Sequence, residues 1–311
     1  IPGGRPNYPV LPTTDWSINQ LSIDSGASLT IGANNLTING TFSNNGTLII
    51  SGAGRPSKND TDSGTVRYTV AGGTITDFGT TDYYNLEISG AGAFTAGAPM
   101  VIANSLTITN SNGVTFTSTL SAPSVTLTNT TGTIDFQGGV TIGTLNTAAQ
   151  GYHVRFGNGG SITNAVTFSN TGILTIDAGF TFTGGVTKTV GVKSLAGTIS
   201  TTNAPINLGT AGNITLTANT TLSSGTGAIT LYDIPVAANC NLVLSGSGTN
   251  TLGIVNLGTG TLDLSGLTGG STTVNGGLTA QALSTLAAAV DLAFNTGAGA
   301  QSSSITNAVT F

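Results

Sequence analysis

The chain repeats short apolar–polar–apolar phrases separated by turn residues along almost its whole length. In these phrases Thr stands between two residues drawn from Val, Ile, Leu and Phe. Alternation with a period of two predicts half-buried strands, and the Gly, Asn, Ser and Asp residues between the phrases predict turns. The phrases stand at 29–31, 36–38, 106–108, 114–116, 125–127, 140–142, 166–168, 174–176, 180–182, 214–216, 229–231 and 309–311.

The spacing of the phrases predicts a parallel β-solenoid. Strands of about three to five residues recur at short intervals, whereas a β-sandwich favours longer strands and fewer glycines. Three such strands per coil give coils of roughly 20–25 residues, hence roughly 12–15 coils. The best helical candidate, 278–294, aligns with the strand-like stretch 140–156, so we predict strands there as well.

The very low charge supports this architecture. Only 6 % of the 311 residues are charged, seven Lys or Arg and twelve Asp or Glu. In a parallel solenoid, equivalent residues of neighbouring coils lie ~4.8 Å apart. Two like charges at that distance repel each other by about 0.9 kcal/mol even in water. Thr, Ser and Asn can instead stack and form hydrogen bonds along such columns.

The same composition excludes some partners. There is no cluster of basic residues, so we expect no nucleic acid partner. No apolar run is long enough to predict a transmembrane helix.

Three stretches resemble a known class of proteins. WSINQLSIDSGASLTIGANNLTINGTFSNNGTLIISG (16–52) resembles the opening coils of large bacterial surface solenoids, and 82–108 is similar to a phrase of the same secreted repeat proteins. IDFQGGVTIGTLNTAA (134–149), together with NAVTF and GNITLTANTTL, resembles filamentous-haemagglutinin-like and other giant adhesin repeats. The resemblance implies an extracellular, right-handed parallel β-helix at the cell surface, and it carries over no catalytic residue.

The chain divides into an N-terminal segment and a solenoid. Residues 1–15 contain four of the nine prolines and therefore predict an extended linker or a cap over the first coil. The alternative is a connector that docks on a neighbouring subunit. Residues 16–311 are predicted to form the solenoid, and the charge-rich stretch at about 51–64 is predicted to protrude from it as a loop.

A long degenerate repeat ends at the last residue. SITNAVTF occurs at 161–168 and again at 304–311, and the preceding stretch 138–156 is similar to 276–294. A broken repeat predicts an open strand edge, which either further coils of a longer chain or a second copy of this chain would complete. The predicted assembly interface consists of Pro6, Pro9, Trp16, Ser304, Ile305, Thr306, Asn307, Ala308, Val309, Thr310 and Phe311.

Candidate chemistry is sparse. Asp60 and Asp62 form a D-x-D-x-G fragment typical of calcium loops, but the bidentate acid that completes an EF-hand is missing. His153 is the one histidine and has no cysteine near it in the sequence, so it makes no zinc site. It is predicted to point outward. The other acids are scattered, although Asp135 and Asp177 could stack two coils apart as a carboxylate pair. We predict no catalytic residue and no cofactor.

These features favour a structural role outside the cell. The main hypothesis is a building block of a surface filament that grows by head-to-tail stacking, and the alternative is a stalk segment of a large bacterial adhesin. A polysaccharide-active β-helix enzyme and an ice-binding protein, the latter because of the T-x-T phrases, are further alternatives. An adhesin would also bind a surface glycan or a receptor, for which Tyr83 and Tyr84 are the best candidates, although packing at a turn is the favoured explanation of both.

Overall fold

The structure is a computed structural model that describes residues 1–4, 9–10, 13–285, 291–294, 302–307 and 309–310. Every regular element among these residues is a β-strand, and none is a helix. The strands pair in parallel and stack as a β-solenoid of about 14 turns, which confirms the predicted all-β fold and the predicted number of coils. The chain divides into two compact units, Ile1–Tyr152 and His153–Phe311.

Each unit is built from short strands. The strands of the first unit are β1 (Trp16–Ile18), β2 (Leu21–Ile23), β3 (Ser28–Ile31), β4 (Leu36–Ile38), β5 (Phe42–Asn44), β6 (Thr47–Ile50), β7 (Asp60–Tyr68), β8 (Gly73–Ile75), β9 (Tyr83–Ile88), β10 (Phe94–Ala96), β11 (Met100–Ile108), β12 (Val114–Phe116), β13 (Leu120–Leu127), β14 (Thr133–Phe136) and β15 (Val140–Thr147). Those of the second unit are β16 (His153–Phe156), β17 (Gly160–Ile162), β18 (Val166–Thr167), β19 (Leu174–Ile176), β20 (Phe180–Phe182), β21 (Val186–Thr187), β22 (Lys193–Ser200), β23 (Ile206–Leu208), β24 (Ile214–Ser223), β25 (Ile229–Leu231), β26 (Leu242–Gly246), β27 (Asn250–Leu252), β28 (Val255–Asn256), β29 (Thr261–Leu267), β30 (Ser271–Val274), β31 (Leu278–Ala280), β32 (Ala282–Ser284), β33 (Asp291–Phe294), β34 (Ser304–Ile305) and β35 (Val309–Thr310).

Two main columns of strands run through the first unit. One joins β3, β6, β7, β9, β11, β13 and β15, and the other joins β8, β10, β12 and β14. In the second column Phe94, Val114 and Ile134 are directly aligned, so each of these turns takes 20 residues. The measured period therefore agrees with the coil length predicted from the spacing of the phrases.

The second unit has three faces. The first joins β16, β19, β22 and β24; the second joins β18, β21, β23, β25, β27, β30 and β33. The third joins β17, β20, β22, β24, β26, β29, β32 and β35. Strands β22 and β24 contribute to two faces because they are long and carry a register shift between Leu195 and Gly197. A shorter column of β28, β31 and β34 lies at the C-terminal end.

Alternation within each strand decides which side chains form the core. In β12 the side chains of Val114 and Phe116 are buried, whereas Thr115 between them points outward and is half-buried. Phe116 stacks on Phe136 of the next turn, with ring centroids 5.3 Å apart. Inward apolar side chains of neighbouring turns therefore stack on one another, and dispersion contacts connect one turn to the next.

Glycine allows the tight corners between strands. Gly113, immediately before β12, has a φ of +104°. A Cβ atom there would lie 2.8 Å from the Thr133 carbonyl oxygen of the next turn. Both the backbone conformation and the close approach of the two turns thus require glycine at this corner.

The stretch 51–64, predicted to protrude as a loop, has no regular strand over 51–59 but joins the wall of the solenoid at its end. Residues 60–64 form the first part of the nine-residue strand β7, which pairs with β6 and β9. Before it, Pro56 bridges Leu36 in parallel, and the Leu36 N–H donates to the Arg55 carbonyl at 2.9 Å. The charges do not force this stretch into solvent because the backbone of the preceding turn offers it hydrogen-bond partners.

The C-terminal stretch 278–294 forms strands where the structure describes it. Strands β31, β32 and β33 cover most of it, and residues 286–290 lie outside the described residues. The prediction of strand rather than helix is therefore confirmed for β31, β32 and β33.

The two copies of the sequence repeat occupy different faces. The matching pairs of strands within the second unit are β16 and β33, β17 and β34, and β18 and β35. Strand β16 pairs with β19 on the first face, whereas β33 pairs with β30 on the second. Likewise β18 pairs with β21 on the second face, whereas β35 pairs with β32 on the third. The repeated phrase is therefore not tied to one face of the solenoid.

Candidate functional site

Strand β1 presents an open edge at the start of the solenoid. The Trp16 N–H donates to the Asn35 carbonyl at 2.9 Å, and the Ile18 carbonyl accepts the Asn39 N–H at 2.8 Å. Backbone groups of successive residues face opposite neighbours in a strand, so the Ser17 N–H and carbonyl face away from β4. No strand among the described residues pairs with that side of β1.

The N-terminal segment covers the neighbouring strands of the same turn. The Asp24 N–H donates to the Ile1 carbonyl at 3.0 Å, and the Thr30 N–H donates to the Pro9 carbonyl at 3.2 Å. Val10 forms a parallel bridge with Thr30 and is 66 % exposed. The part of 1–15 that the structure describes therefore lies along the edges of β2 and β3, as a cap would, and leaves β1 uncovered. Pro6 lies outside the described residues.

An apolar recess lies beside this edge. It has a volume of about 280 Å³, and its lining includes Pro9, Trp16, Ile18, Leu21 and Leu29. Trp16 is 43 % exposed, while Leu29 belongs to the buried core. The structure thus brings two residues of the predicted interface, Pro9 and Trp16, into one concave surface next to unpaired backbone groups.

A second open edge lies near the C-terminus. Strand β34 aligns Ser304 with Thr279, and the following Thr306 and Asn307 N–H groups donate to Ala280 and Gln281 at 3.2 and 2.8 Å. Strand β35 aligns with β32. Within the described ranges no strand pairs with the far side of β34 or β35. Of the predicted interface residues, Ala308 and Phe311 lie outside the described residues, as does the side chain of Thr310.

The outward columns consist mainly of uncharged polar residues. On the second face of the second unit one column runs through aligned outward positions of six consecutive strands, namely Thr167, Thr187, Asn207, Thr230, Thr251 and Thr273. Asn207 interrupts the row of Thr side chains, and in the first unit Asp135 follows Thr95 and Thr115 in the same way. These interruptions make the Thr columns less regular than the ice-binding hypothesis requires.

Three of the acidic residues, Glu87, Asp135 and Asp177, make structural contacts. Glu87 accepts a hydrogen bond from Arg67 Nε at 2.7 Å, and Asp177 accepts one from Arg155 Nε at 2.7 Å. Asp135 Oδ2 accepts one from Gln137 Nε2 at 2.9 Å. Asp177 is therefore held by a cation, and the geometry lends no support to its use with Asp135 as a catalytic carboxylate pair.

The candidate calcium residues belong to β7 rather than to a loop. The Asp62 carboxylate accepts the Asn44 N–H at 3.1 Å. Nothing is described of the Asp60 side chain. In the part of the chain that the structure describes, no three His, Cys, Asp or Glu side chains come together in a way that could hold a metal ion. His153 points outward as predicted, and its Nδ1 accepts the Ile173 N–H at 2.8 Å.

The sequence pattern does not predict the buried polar network around Tyr83. The Tyr83 hydroxyl lies 2.9 Å from the Tyr68 hydroxyl and donates to the Thr76 carbonyl at 2.7 Å. Burial raises the pKa of Tyr83 well above its usual value and also raises the pKa of the neighbouring Asp82. The Asp82 carboxylate accepts the N–H groups of Phe78 and Val101, both at 2.7 Å.

This network fixes the excursion between β8 and β9 and is not a surface for a ligand. Tyr83 is fully buried, which agrees with the favoured explanation of packing at a turn and not with contact to a receptor; Tyr84 is half-buried. The sequence signal for this network is the triplet DYY at 82–84, in which an acid stands beside an inward-facing aromatic residue.

Two lysines also lie inside the second unit, at inward positions where the alternating pattern predicts apolar residues. Lys188 and Lys193 are both fully buried. Lys193 takes the place of an apolar residue in its column, since it aligns with Leu174 and Ile214. Its ammonium donates to the carbonyls of Ala211 and Gly212 at 2.6 and 3.0 Å.

Burial also changes the proton affinity of these lysines. It lowers the pKa of Lys193 to about 8. The sequence signal for the burial of Lys193 is the phrase KSL at 193–195, whose alternation places Lys193 and Leu195 inward and Ser194 outward.

Comparison with family models, with curated proteins and with solved structures finds no match to this chain. Among the described residues there is also no helix of the length and apolarity needed to cross a membrane.

Proposed function

We propose that this chain is an extracellular structural protein whose solenoid extends by adding β-strands to its open edges, as the building block of a surface filament. The observation that carries the proposal is the open edge of β1 beside the apolar recess of Pro9 and Trp16. An edge strand with free N–H and carbonyl groups is a template for another strand, and the recess supplies apolar surface to bury with it.

The mechanism is backbone hydrogen bonding along the solenoid axis. Each turn offers the next a nearly uncharged set of columns, so a turn from another copy meets little electrostatic repulsion. If the C-terminal edge of one copy at β34 and β35 pairs with the N-terminal edge of another, the two surfaces differ. Such a heterologous contact does not close and generates a fibre.

A location outside the cell agrees with the composition and with the resemblance to bacterial surface solenoids. Uncharged Thr, Ser and Asn columns suit a protein whose role is mechanical and whose surface needs no charged binding site. A surface glycan or receptor remains a possible partner of the adhesin alternative, in which this solenoid is a stalk segment of a longer chain.

The cap-like placement of Ile1, Pro9 and Val10 is the observation that favours the stalk alternative. These residues already occupy the edges of β2 and β3, so among the described residues of this turn β1 is the strand left open to a second copy. In the stalk reading the C-terminal edge is continued by further coils of the same chain.

Negative-stain electron microscopy of the purified 311-residue chain at rising concentration tests the filament proposal. We expect fibres whose length grows with concentration. Separate particles at every concentration, with a monomer mass in analytical ultracentrifugation, would reject self-stacking and leave the stalk as the better account.

A matched pair of variants locates the contact. Ser17→Pro removes the one outward N–H at the centre of β1 without removing a bond to β4, so we expect fibres to be lost. Ser17→Ala keeps the N–H, loses the same hydroxyl contact to Asn39 and should still form fibres. Equal fibre formation by both variants would show that β1 is not the contact.

A further inference from the structure

Asn170 and Lys188 meet inside the second unit, one turn apart. Phe168 and Lys188 occupy equivalent positions, because β18 and β21 align Val166 with Val186 and Thr167 with Thr187. The Lys188 side chain therefore enters the core beside the phenylalanine of the previous turn. Both Lys188 and Asn170 are completely buried.

The Lys188 amine is held against the Asn170 side chain. Nζ donates to the Asn170 main-chain carbonyl at 2.6 Å and lies 3.4 Å from Asn170 Oδ1. No carboxylate of the described residues is paired with it, and the charged group that acts on it is the second lysine, Lys193. Burial, and then the charge of Lys193, lower the pKa of Lys188 to about 8. Roughly a tenth of the amine is therefore uncharged at pH 7, and about half at pH 8.

We propose that Lys188 and Asn170 join in an intramolecular isopeptide bond between neighbouring turns of the solenoid. The uncharged Nζ adds to Cγ of Asn170, and a C–N bond forms. The bond from Cγ to Nδ2 then breaks, the proton lost by Nζ moves to Nδ2, and one molecule of ammonia leaves. No oxidant, reductant or cofactor is needed.

Two features of the site favour this reaction. The fold holds the two groups in contact, which replaces a bimolecular encounter by an intramolecular one. The product is a neutral amide, so the cost of burying an ammonium without a counter-charge disappears. Because only the uncharged amine can add to the amide carbon, the reaction should be faster above pH of about 8 than below it.

Lys193 provides the matched comparison. It is equally buried, but its amine contacts the main-chain carbonyls of Ala211 and Gly212 rather than a side-chain amide. Those carbonyls carry no amide group that can leave as ammonia without cutting the chain. Lys193 therefore stays a free amine.

Mass spectrometry of the aged wild-type chain tests the proposal. We expect the denatured chain to be lighter than its sequence by one ammonia, and a digest to contain a branched peptide that joins Asn170 to Lys188. Asparagines followed by glycine, such as Asn158 and Asn275, also lose ammonia by cyclising, so the branched peptide and not the mass alone decides the result.

Variants separate the possible sources of the loss. Lys188→Met and Asn170→Ala should both abolish the branched peptide, whereas Lys193→Met should retain it. Linear peptides carrying unmodified Asn170 and Lys188 as the only products of the aged wild-type chain would overturn the proposal, even if a variant fails to fold. This outcome is independent of the proposed function, because fibres are scored by microscopy and the cross-link by mass.

Discussion

At the scale of the residue, the position in the strand decides whether a side chain is buried. A polar side chain at a buried position then needs hydrogen-bond partners inside the solenoid. Most inward positions are filled by Val, Ile, Leu or Phe, as in β12. Lys193 enters the core at such a position and is tolerated because two carbonyls of the next turn accept hydrogen bonds from its ammonium. Hydrogen bonds to neutral carbonyls offset only part of the cost of burying a charge.

The cost should appear as a dependence of stability on pH. The pKa of Lys193 is about 8 in the fold and 10.5 as its ordinary value, so the unfolded chain binds more protons between these limits. We expect the contribution of Lys193 to the free energy of unfolding to rise with pH across this window, by up to about 3 kcal/mol, and to be flat below it. Urea unfolding followed by circular dichroism at a series of pH values measures this.

Lys193→Met supplies the control for this prediction. Methionine is of similar length and does not titrate, so the rise attributable to Lys193 should vanish. If Lys188 is still a free amine it titrates in the same direction, and a smaller rise should then remain. A variant that keeps the full wild-type rise would show that Lys193 does not titrate in this window.

At the scale of the element, outward columns set which charges a strand can carry. Arg67 and Glu87 are directly aligned in neighbouring strands and form an ion pair, so the two charges that share this column have opposite sign. Elsewhere an acid follows uncharged residues in its column, as Asp135 follows Thr95 and Thr115. The low charge of the sequence is thus a consequence of the close spacing of turns.

A charge placed beside Asp135 tests this rule. Thr115→Asp puts a second carboxylate directly opposite the first, and we expect it to lower the free energy of unfolding by about 1 kcal/mol at low salt. Thr115→Lys places the opposite charge at the same position and should be neutral or stabilising by up to about 1 kcal/mol.

Salt provides the second measurement on these two variants. The difference between them should shrink as ionic strength rises, because salt screens exposed charges. If Asp and Lys destabilise equally and without any effect of salt, volume rather than charge governs the column.

The sequence allowed the strands and their period to be predicted, because alternation and turn residues are local signals. It did not allow the route of 51–64 to be predicted, since the backbone partners that hold Pro56 and β7 belong to another turn. The buried Tyr83 network and the buried lysines were missed for the same reason. A polar residue at an inward position is tolerated only when a carbonyl or hydroxyl of another turn forms a hydrogen bond with it. The spacing of residues along the chain does not show which groups of other turns lie close enough to do so.

At the scale of the whole molecule, the repeated phrases are interchangeable between faces. Strands β18 and β35 carry the same Val-Thr phrase, yet β18 pairs with β21 on the second face and β35 with β32 on the third. The strands of all faces share one pattern, in which an apolar side chain points inward and an uncharged polar side chain points outward. Duplication of a segment can therefore lengthen such a chain without preserving the face of each strand.

Successive turns of the chain lie in register over one another. In the first unit a single outward column runs through Thr30, Ile49, Arg67, Glu87, Thr107, Thr126 and Asn146. At ~4.8 Å per turn, Thr30 lies about 19 Å from Thr107 and about 29 Å from Asn146 along this column.

Double electron–electron resonance between spin labels at these sites measures both distances directly. Labels are placed on Thr30→Cys with Thr107→Cys, and on Thr30→Cys with Asn146→Cys, in a Cys240→Ser background. In-register turns predict that the second distance exceeds the first by about 10 Å, two turns at the spacing of parallel strands. Equal distances, or a shorter second distance as in two face-packed antiparallel layers, would contradict the account.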